Sequence, residues 1–386
     1  MTFWGYRRPD GRVGVRNKVL ILPASACASD TARIISAHVE GSVTFNNQQG
    51  CAQVAPDQQL TMDVLAGFAA NPNIYGTVVV SLGCENCQMS LVVQAIRERT
   101  NKPIRQVVIQ EAGGTLKAVE IASRYARELV EEASALRRKE FPFSELIIGT
   151  ECGGSDPTSG LAANVLIGRL SDRIVAAGGT AILSETTEFI GAEHILAARA
   201  ATPEIRSRIF EIVYRYERAL RQVGEDVRNA NPSPGNKAGG ITTLEEKSLG
   251  CIHKGGHTAV NAVYDYAKQV EPHRGLVIMD TPGNDPSSVA AMAAGGAQVV
   301  VFSSGRGTPT GNPIVPVIKI TGNRITFETM RDNIDLDASP LIYGGSLDAM
   351  GEALEKMVSE VAGGKFTKAE ALGYTEMAIA RVCNYV

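Results

Sequence analysis

Apolar runs rich in β-branched residues alternate with stretches of helical periodicity, and this alternation constrains the fold more than any other feature of the sequence. Several runs are apolar at almost every position, which is typical of parallel strands covered on both faces. Strands that alternate with helices through short loops form right-handed βαβ units. The sequence therefore predicts an α/β fold in two Rossmann-like lobes with mainly parallel sheets. The predicted strands are Val19–Pro23, Val43–Phe45, Thr77–Leu82, Gln106–Gln110, Glu145–Gly149, Ala181–Ser184, Leu276–Met279, Val299–Phe302 and Val315–Ile320.

Helical periodicity fills most of the intervals between these strands. The predicted helices are Asp30–His38, Gln88–Arg99, Thr115–Leu136, Leu161–Ala176, Ile205–Gln222, Ala259–Gln269, Ser287–Ala294, Leu347–Val361 and Lys368–Arg381.

A stretch rich in proline, glycine and asparagine, Asn229–Gly240, suggests the boundary between the lobes. It predicts an N-terminal lobe of residues 1–228, a connecting or site-closing loop of residues 229–247, and a C-terminal lobe of residues 248–386. The composition fits a plain linker as well as an ordered loop over a site. In the second case Lys237 would contact an anion.

Composition and charge exclude several classes of function. The net charge of −3 and the pI of about 6.0 provide no basic field for nucleic acid or an anionic membrane. No apolar run approaches the roughly 20 residues that span a bilayer. The N-terminus has no apolar signal segment, and the cysteines are odd in number, seven in all. We therefore expect a cytoplasmic protein with reduced or metal-bound thiols.

Polar loops follow the carboxyl ends of five predicted strands, where the ligand site of a parallel α/β sheet lies. They carry carboxylates, amides, thiols and glycine pairs. Gly-Gly turns that enter helices at Thr115 and Ser155 offer free N–H groups and a positive helix end to an anion. These loops cover residues 46–51, 83–88, 111–115, 150–156 and 184–188.

This mixture of side chains suits β-elimination from a small anionic hydroxy acid. Removal of the proton next to a carboxylate builds an enediolate, which a divalent metal and directed donors stabilise. The candidate bases are Glu111, Glu185 and Lys237. The candidate metal ligands are Cys51, Cys84, Glu85 and Cys152. The candidate substrate contacts are Asn46, Asn47, Gln48, Gly113, Gly114, Thr115, Ser155, Asp156 and Arg306.

Each of these residues also has a purely structural interpretation. The carboxylates could cap helices, the thiols could simply be buried, and Arg306 could be a solvated residue of a surface turn. Three converging thiols could hold either a single metal ion or an iron–sulfur cluster. His253 and His257 are four residues apart, but the glycines between them favour a loop over a metal-binding helix.

Eight segments together resemble the altronate/galactarate dehydratase family, and the resemblance covers essentially the whole chain. It implies a lyase with iron(II) as the activating metal; manganese(II) and an iron–sulfur cluster are the alternatives. The matching segments are Gly5–Asn17, Leu82–Glu85, Gln110–Thr115, Cys152–Asp156, Gly178–Thr186, Asn231–Gly240, Met279–Gly283 and Ser304–Gly307.

Single-chain members of this family carry a small domain before the Gly-Tyr-Arg start, whereas this sequence begins near that start. The resemblance thus implies a split-subunit organisation, most like the large (beta) subunit of the sulfo-lyases, in which a small (alpha) subunit completes the site. It further implies homo- or hetero-oligomers and conversion of (2R)-sulfolactate to pyruvate and sulfite. The family's sugar-acid dehydratases tend to have a histidine shortly before Gly50-Cys51, but here Asn46, Asn47 and Gln48 stand there. These amides suit a sulfonate, and a sugar-acid dehydratase large subunit is the alternative.

Two other classes of function are weighed against a lyase. A non-catalytic anion-binding subunit would need the glycine-rich pockets but no convergence around one point of Cys84, Glu85, Glu111 and Cys152. A nicotinamide-dependent oxidoreductase is disfavoured because Pro23–Ala28, not a Gly-x-Gly-x-x-Gly motif, follows the first predicted strand.

Overall fold

The computed structural model describes residues 1–383 and places fourteen strands in three sheets. The strands are β1 (Thr2–Arg7), β2 (Val13–Gly14), β3 (Lys18–Pro23), β4 (Ser42–Val43), β5 (Ile74–Ser81), β6 (Ile104–Val108), β7 (Lys139–Pro142), β8 (Ile147–Cys152), β9 (Thr180–Leu183), β10 (Val260–Tyr264), β11 (Gly275–Met279), β12 (Val299–Ser303), β13 (Val317–Thr321) and β14 (Leu336–Asp337).

Helices connect these strands and cover the faces of the two larger sheets. They are α1 (Ala26–Ala37), α2 (Ala55–Ala70), α3 (Met89–Arg97), α4 (Ile109–Ala112), α5 (Thr115–Ser134), α6 (Asn164–Ala176), α7 (Glu193–Ala198), α8 (Pro203–Gln222), α9 (Val227–Ala230), α10 (Pro234–Ala238), α11 (Leu244–Ile252), α12 (Asp285–Ala294), α13 (Arg324–Thr329), α14 (Leu347–Ala362) and α15 (Lys368–Ala371). Within residues 1–383, no helix has both the length and the apolar character that crossing a membrane requires.

The larger sheet has seven strands in the order β10-β11-β9-β8-β12-β13-β14, and all of its pairings are parallel. The smaller sheet has four parallel strands in the order β4-β3-β5-β6. A three-stranded antiparallel sheet, β2-β1-β7, pairs the N-terminal strands with β7, which lies between β6 and β8 along the chain. The predicted α/β class with mainly parallel sheets is confirmed.

The loop predicted to separate the lobes, residues 229–247, connects elements of one sheet, since β8, β9 and β10–β14 all pair within the larger sheet. The smaller sheet is formed entirely by strands within residues 18–108. The division of the chain at residues 229–247 therefore does not coincide with a boundary between sheets, and it stays a prediction.

Helices α2 and α12 pack against each other between the two large sheets. A Cβ atom on Gly67 of α2 would lie only 2.4 Å from the carbonyl oxygen of Ala294 on α12, so the two backbones are in close contact. Leu22 on β3 and Val277 on β11 belong to the same buried cluster as these helices. The two sheets thus share one apolar interior.

Two predicted helices are wrong, in whole or in part. Ala259–Gln269 contains no helix, because Val260–Tyr264 forms β10 and pairs in parallel with β11. Lys368–Arg381 is helical only at Lys368–Ala371, where Thr367 and Glu370 form a capping box. Gly373, with a φ of 74°, turns the chain out of helical geometry soon afterwards.

Candidate active site

Three neighbouring strands of the larger sheet bring carboxylates to one edge. β8 ends at Glu151 and Cys152, Glu185 directly follows β9, and Asp285 begins α12 after β11. Adjacent parallel strands end at the same edge of a sheet, so these side chains meet there. Carboxylate oxygens of Glu151, Glu185 and Asp285 lie within 4.8 Å of one another. We call these three residues the carboxylate group.

A second set of side chains shares Glu185 with the first. Donor atoms of Cys152, Glu185, Glu188 and Cys251 also lie within 4.8 Å of one another, and all four residues are buried. We call them the thiol group. Cys251 comes from α11, whereas Glu188 lies in the short 3₁₀ turn that follows β9. Helix α11 therefore supplies a part of the site that the strands alone do not provide.

The ammonium group of Lys254 lies inside the thiol group. Lys254 is fully buried, and its Nζ atom donates to Glu185 Oε2 and lies 2.9 Å from Cys152 Sγ and 3.2 Å from Cys251 Sγ. Burial alone would lower the pKa of Lys254, but the two sulfur groups and Glu185 outweigh it and raise that pKa well above its usual value. Lys254 is thus a permanent cation in the protein interior.

Glu185 is held in its charged form by this contact. Burial would raise the pKa of Glu185, but the nearby Lys254 ammonium outweighs burial and lowers it. The backbone of Glu185 is in the left-handed region, with a φ of 69°, which is rare outside glycine. Strain of this kind, about 1–3 kcal/mol, is concentrated at functional sites. The surrounding structure holds Glu185 there by hydrogen bonds, including one from its N–H to Thr281 Oγ1 at 2.7 Å.

The two oxygen atoms of Glu151, and likewise those of Glu185, differ in their hydrogen bonds. Glu151 Oε2 accepts hydrogen bonds from Ser184 and Ser288 at 3.0 and 2.6 Å, and Glu185 Oε2 accepts from Cys152 N–H and Lys254. The two Oε1 atoms are buried and accept no N–H or O–H from other described residues, while the two carboxyl groups hydrogen-bond to each other. Burial and the Glu185 charge raise the pKa of Glu151 well above its usual value. Burial, followed by Glu185 and Glu188, raises the pKa of Asp285 to about 7.

An ion pair between the partly exposed Lys247 and the buried Glu188 lies beside these groups. Lys247 Nζ also donates to Asn231 Oδ1 at 3.1 Å. Burial would lower the pKa of Lys247, but the Glu188 carboxylate outweighs it and raises that pKa above its usual value. Burial raises the pKa of Glu188 more than Lys247 lowers it. Lys247 therefore stays protonated and places a positive charge next to the Glu188 carboxylate.

A cavity of about 560 Å³ opens over this pair. Its wall includes Cys152, Glu188, Lys247 and Asp285, so both groups of potential ligands border it. A neighbouring cavity of about 620 Å³ shares Tyr216, Pro282 and Asn284 with it. Both volumes suit a small organic acid, whose carboxylate would find a cation in Lys247.

A divalent cation fits this donor set. Carboxylate oxygens of Glu151, Glu185 and Asp285 lie within 4.8 Å of one another, and a cation among them would compensate the charge they carry when ionised. Every side chain in the two groups is a carboxylate or a thiol, the donor types that bind iron, manganese and zinc.

Family models match the chain along almost its whole length. Residues 143–384 match the model described as "D-galactarate/Altronate dehydratase, C-terminal", and residues 5–134 match "D-galactarate dehydratase/Altronate hydrolase, second domain". The chain belongs to the D-galactarate/altronate dehydratase family. The buried strand-end cluster is therefore a site within a family of lyases.

The similar proteins of this dehydratase family differ in substrate. The chain is 36% identical to altronate dehydratase of Bacillus subtilis over 390 residues, covering 98% of this chain and 77% of that protein. It is 37% identical to (2R)-sulfolactate sulfo-lyase subunit beta of Chromohalobacter salexigens over 384 residues, covering 99% and 97%. It is 33% identical to galactarate dehydratase (L-threo-forming) of Escherichia coli over 384 residues, covering 94% and 73%. Lyase activity is thus supported, and the substrate is left open.

Many of the predicted site residues lie at the smaller sheet. Loops 46–53 and 83–87 contact each other there, since Cys87 N–H donates to Gly50 O at 2.9 Å. Glu85 binds the N–H groups of its own turn, at Leu82 and Gly83. Among residues 1–383, no group of three or more potential metal ligands includes Cys51, Cys84 or Glu85. The exposed Glu111 and the helix-entry residues Gly113, Gly114 and Thr115 lie after the edge strand β6.

The loop of residues 46–49 approaches the larger sheet. Asn46 and Gln48 line the 620 Å³ cavity together with Asn284. Asn47 is buried and instead supports the loop, because its side chain donates to Pro23 O at 3.0 Å and accepts from Gln49 N–H at 2.9 Å.

The remaining predicted residues lie at the larger sheet. Cys152 and Glu185 are in the buried cluster. Ser155 is buried with an unpartnered hydroxyl, and Asp156 is used structurally, since it accepts hydrogen bonds from Thr158 and Asn323. The exposed Lys237 lies on α10, whose Asn236 side chain donates to Ser155 O at 2.9 Å. Arg306 is exposed, and its N–H donates to Gly154 O at 2.9 Å.

The predicted set of four metal ligands is therefore not brought together, because the strands that precede them belong to two different sheets. The roles of the individual residues stay predictions. The sequence reasoning missed Glu151, Lys247, Cys251, Lys254 and Asp285. One signal was available: Lys247, Cys251 and Lys254 have the i, i+4, i+7 spacing of a single helical face.

The close packing of Gly153 against the carboxylate group gives a first prediction. A Cβ atom there would lie 2.0 Å from Asp285 Oδ2 and 2.8 Å from the buried ring of Phe302. We expect Gly153→Ala to lower the free energy of unfolding by about 1–3 kcal/mol through overpacking. Displacement of Asp285 should also reduce turnover by about 100-fold. Thermal unfolding and steady-state kinetics measure the two effects.

The matched control for this substitution is Gly235→Ala. A Cβ atom on Gly235 meets nothing closer than Ser233 Oγ at 3.8 Å, and the residue lies within α10. The control should retain wild-type stability and turnover. Equal behaviour of the two variants would contradict the proposed contact.

Proposed function

We propose that this chain is a lyase subunit that removes a β-substituent from a small anionic hydroxy acid. The observation that carries the proposal is the Lys247–Glu188 pair, a partly exposed cation and a buried carboxylate on the wall of a 560 Å³ cavity in a chain of the dehydratase family. A β-elimination needs a cationic contact for the substrate carboxylate and a base near its C2 atom.

Lys247 and Glu188 would divide these tasks. Lys247 Nζ, kept protonated by Glu188, would bind the substrate carboxylate. A Glu188 oxygen would accept the C2 proton. The C2–H electron pair would then form the C2–C3 double bond while the C3 substituent leaves with the electrons of its bond. Of the bases predicted from the sequence, Glu185 is close to this pair, whereas Glu111 follows the edge strand of the other sheet.

A divalent metal, iron(II) in this proposal, would polarise the substrate carboxylate and stabilise charge on the enediolate when bound. Manganese(II) and an iron–sulfur cluster are the alternatives. The carboxylate group and the thiol group are the residues available to hold it.

The substrate we propose first is (2R)-sulfolactate, with enolpyruvate and sulfite as the immediate products and pyruvate after tautomerisation. The sulfo-lyase beta subunit is among the similar proteins, at 37% identity. The amides of Asn46 and Gln48 face the adjoining cavity, where they could donate to a sulfonate. Dehydration of altronate or galactarate is the second candidate, supported by the similar identity of those relatives.

A separate small subunit is part of the proposal, since the sulfo-lyase relative is itself named as a subunit beta. The test is to co-express this chain with a candidate small (alpha) subunit and purify the complex without oxygen. Sulfite release from (2R)-sulfolactate is then measured beside dehydration of altronate and galactarate, with and without iron(II).

We expect iron-dependent sulfite release by the complex and none by the single chain. Dehydration without sulfite release would replace the first substrate by the second. Binding of these acids without any turnover would instead favour a non-catalytic anion-binding subunit. Full activity of the single chain would overturn the split-subunit proposal.

A further inference from the structure

The last described segment of the chain, residues 374–383, forms part of the wall of the 620 Å³ cavity. This segment contains no helix or strand, and its residues Met377–Arg381 line the cavity. Other parts of the wall come from the loop of residues 46–49 and from the start of α12. The cavity is therefore completed by a segment that is distant from both of these elements in the sequence.

Hydrogen bonds to two buried side chains hold this segment in place. The Asp57 carboxylate accepts the N–H groups of Val382 and Cys383 at 2.6 and 3.0 Å. The Tyr266 hydroxyl accepts the N–H group of Ala380 at 3.2 Å. The backbone is therefore fixed on both sides of the one residue that lies between these anchors.

That residue is Arg381, and it gives the cavity its charge. Its side chain is exposed at the cavity wall, and none of the described residues that line this cavity is an aspartate or a glutamate. The other polar lining groups include the amides of Asn46, Gln48 and Asn284. A guanidinium group together with amide donors suits the oxygens of a carboxylate or a sulfonate. The cavity is thus complementary to an anionic group.

The adjoining 560 Å³ cavity contains a second cation. Lys247 lies on its wall, and the two cavities share Tyr216, Pro282 and Asn284. An acid with one anionic group can use only one of these two cations, whereas an acid with an anionic group at each end can use both. Charge complementarity of this kind contributes specificity. The arrangement therefore favours dianionic acids over monoanionic acids.

We propose that Arg381 binds a second anionic group of the substrate, at the end opposite the carboxylate that Lys247 binds. The inference rests on the proposed function for the role of Lys247, and it narrows the substrate to dianionic acids. (2R)-Sulfolactate and galactarate are of this kind, whereas altronate carries a single carboxylate. A sulfonate and a second carboxylate offer the same chemistry to an arginine, so the experiment includes one probe for each.

The test is isothermal titration calorimetry with three acids, on the purified chain alone and after co-expression with the candidate small subunit. Succinate and 3-sulfopropanoate are dianions, and butanoate is the matched monoanion. None of the three has a 2-hydroxyl group, so they report binding rather than the proposed elimination. The wild type is compared with Arg381→Gln and Arg381→Lys. The control is Arg206→Gln, which replaces an exposed arginine of α8 that borders neither cavity.

We expect the wild type to bind at least one dianion about 10-fold or more tightly than butanoate. Arg381→Gln should lower the affinity for that dianion about 10- to 100-fold and leave the affinity for butanoate unchanged. Arg381→Lys should retain part of the affinity, because it keeps the charge but not the planar fork. Arg206→Gln should bind all three acids as the wild type does. Thermal unfolding of each variant shows that it is folded.

The two dianions identify the group that Arg381 binds: tighter binding of 3-sulfopropanoate indicates a sulfonate, and tighter binding of succinate indicates a carboxylate. Equal affinity of the wild type for dianions and butanoate, no binding of any of the acids, or unchanged dianion affinity in Arg381→Gln would each overturn the proposal. Arg381-dependent preference for dianions without elimination from any hydroxy acid would instead count against the proposed function alone.

Discussion

Replacement of Lys254 by methionine should lower the free energy of unfolding by about 3–5 kcal/mol, the range found when one partner of a buried ion pair is removed. Methionine has a similar length and no charge, so it fills the space but leaves Glu185 buried without its cation. Glu185 then keeps only the Cys152 N–H as a donor to Oε2. Chemical denaturation followed by circular dichroism measures the loss.

The loss of unfolding free energy in Lys254→Met should become smaller as the pH falls. In the wild type, Lys254 lowers the pKa of Glu185, so the ion pair stabilises the fold above the usual Glu range and that contribution disappears as pH falls. Without Lys254, burial, which raises that pKa, is opposed only by the smaller effects of Glu151 and Lys247. A proton then relieves the unpaired charge, so the variant should lose less stability at about pH 5 than at about pH 7.

Two controls make this expectation specific. Lys356→Met removes an exposed lysine from α14 and should change stability by no more than about 0.5 kcal/mol. The double variant Lys254→Met with Glu185→Met removes both charges and should recover much of the loss. A double variant as unstable as the sum of the two single variants would show that Lys254 contributes through packing rather than through charge.

Glu188→Gln should lower the kcat of the assembled lyase by about 10²- to 10⁴-fold, the usual contribution of a positioned general base. Glutamine keeps an oxygen acceptor for Lys247, so KM should change little and the fold should persist. The readouts are steady-state kinetics with the substrate identified by the co-expression experiment and thermal unfolding of the same preparation.

Glu204→Gln is the matched control, since Glu204 is exposed at the start of α8. It should retain wild-type kinetics. A Glu188→Gln enzyme with kcat within about threefold of wild type would remove Glu188 from the base role. A rise in KM at constant kcat would indicate that the pair only binds the substrate.

The strands were the most predictable part of the fold, because apolar β-branched runs such as Val299–Phe302 have few alternatives. The pattern does not reveal α2, since this helix is apolar over most of its surface and lies between the two sheets. It also assigns Val260–Tyr264 to a helix, although pairing with β11 makes it a strand. In both cases a long-range contact decides the structure, and local sequence does not contain it.

The residues of the site are likewise only partly predictable from local sequence. The sequence indicates Cys152 and Glu185 because both follow apolar runs that end at a sheet edge. It does not indicate Lys254, which reaches Glu185 from a turn 69 positions further along the chain. The sequence also does not show that Cys84 and Cys152 lie at the ends of strands in different sheets. The alternation of strands and helices does not determine which strands pair with each other.

The packing of Gly67 against Ala294 has a consequence for how the chain folds after synthesis. The two segments matched by separate family models, residues 5–134 and 143–384, meet through this helix pair and each completes the other's interior. Either segment, if synthesised alone, would expose to water an apolar surface that the other segment normally covers. The border between the family models therefore marks related stretches of sequence, while the unit that folds is the whole chain.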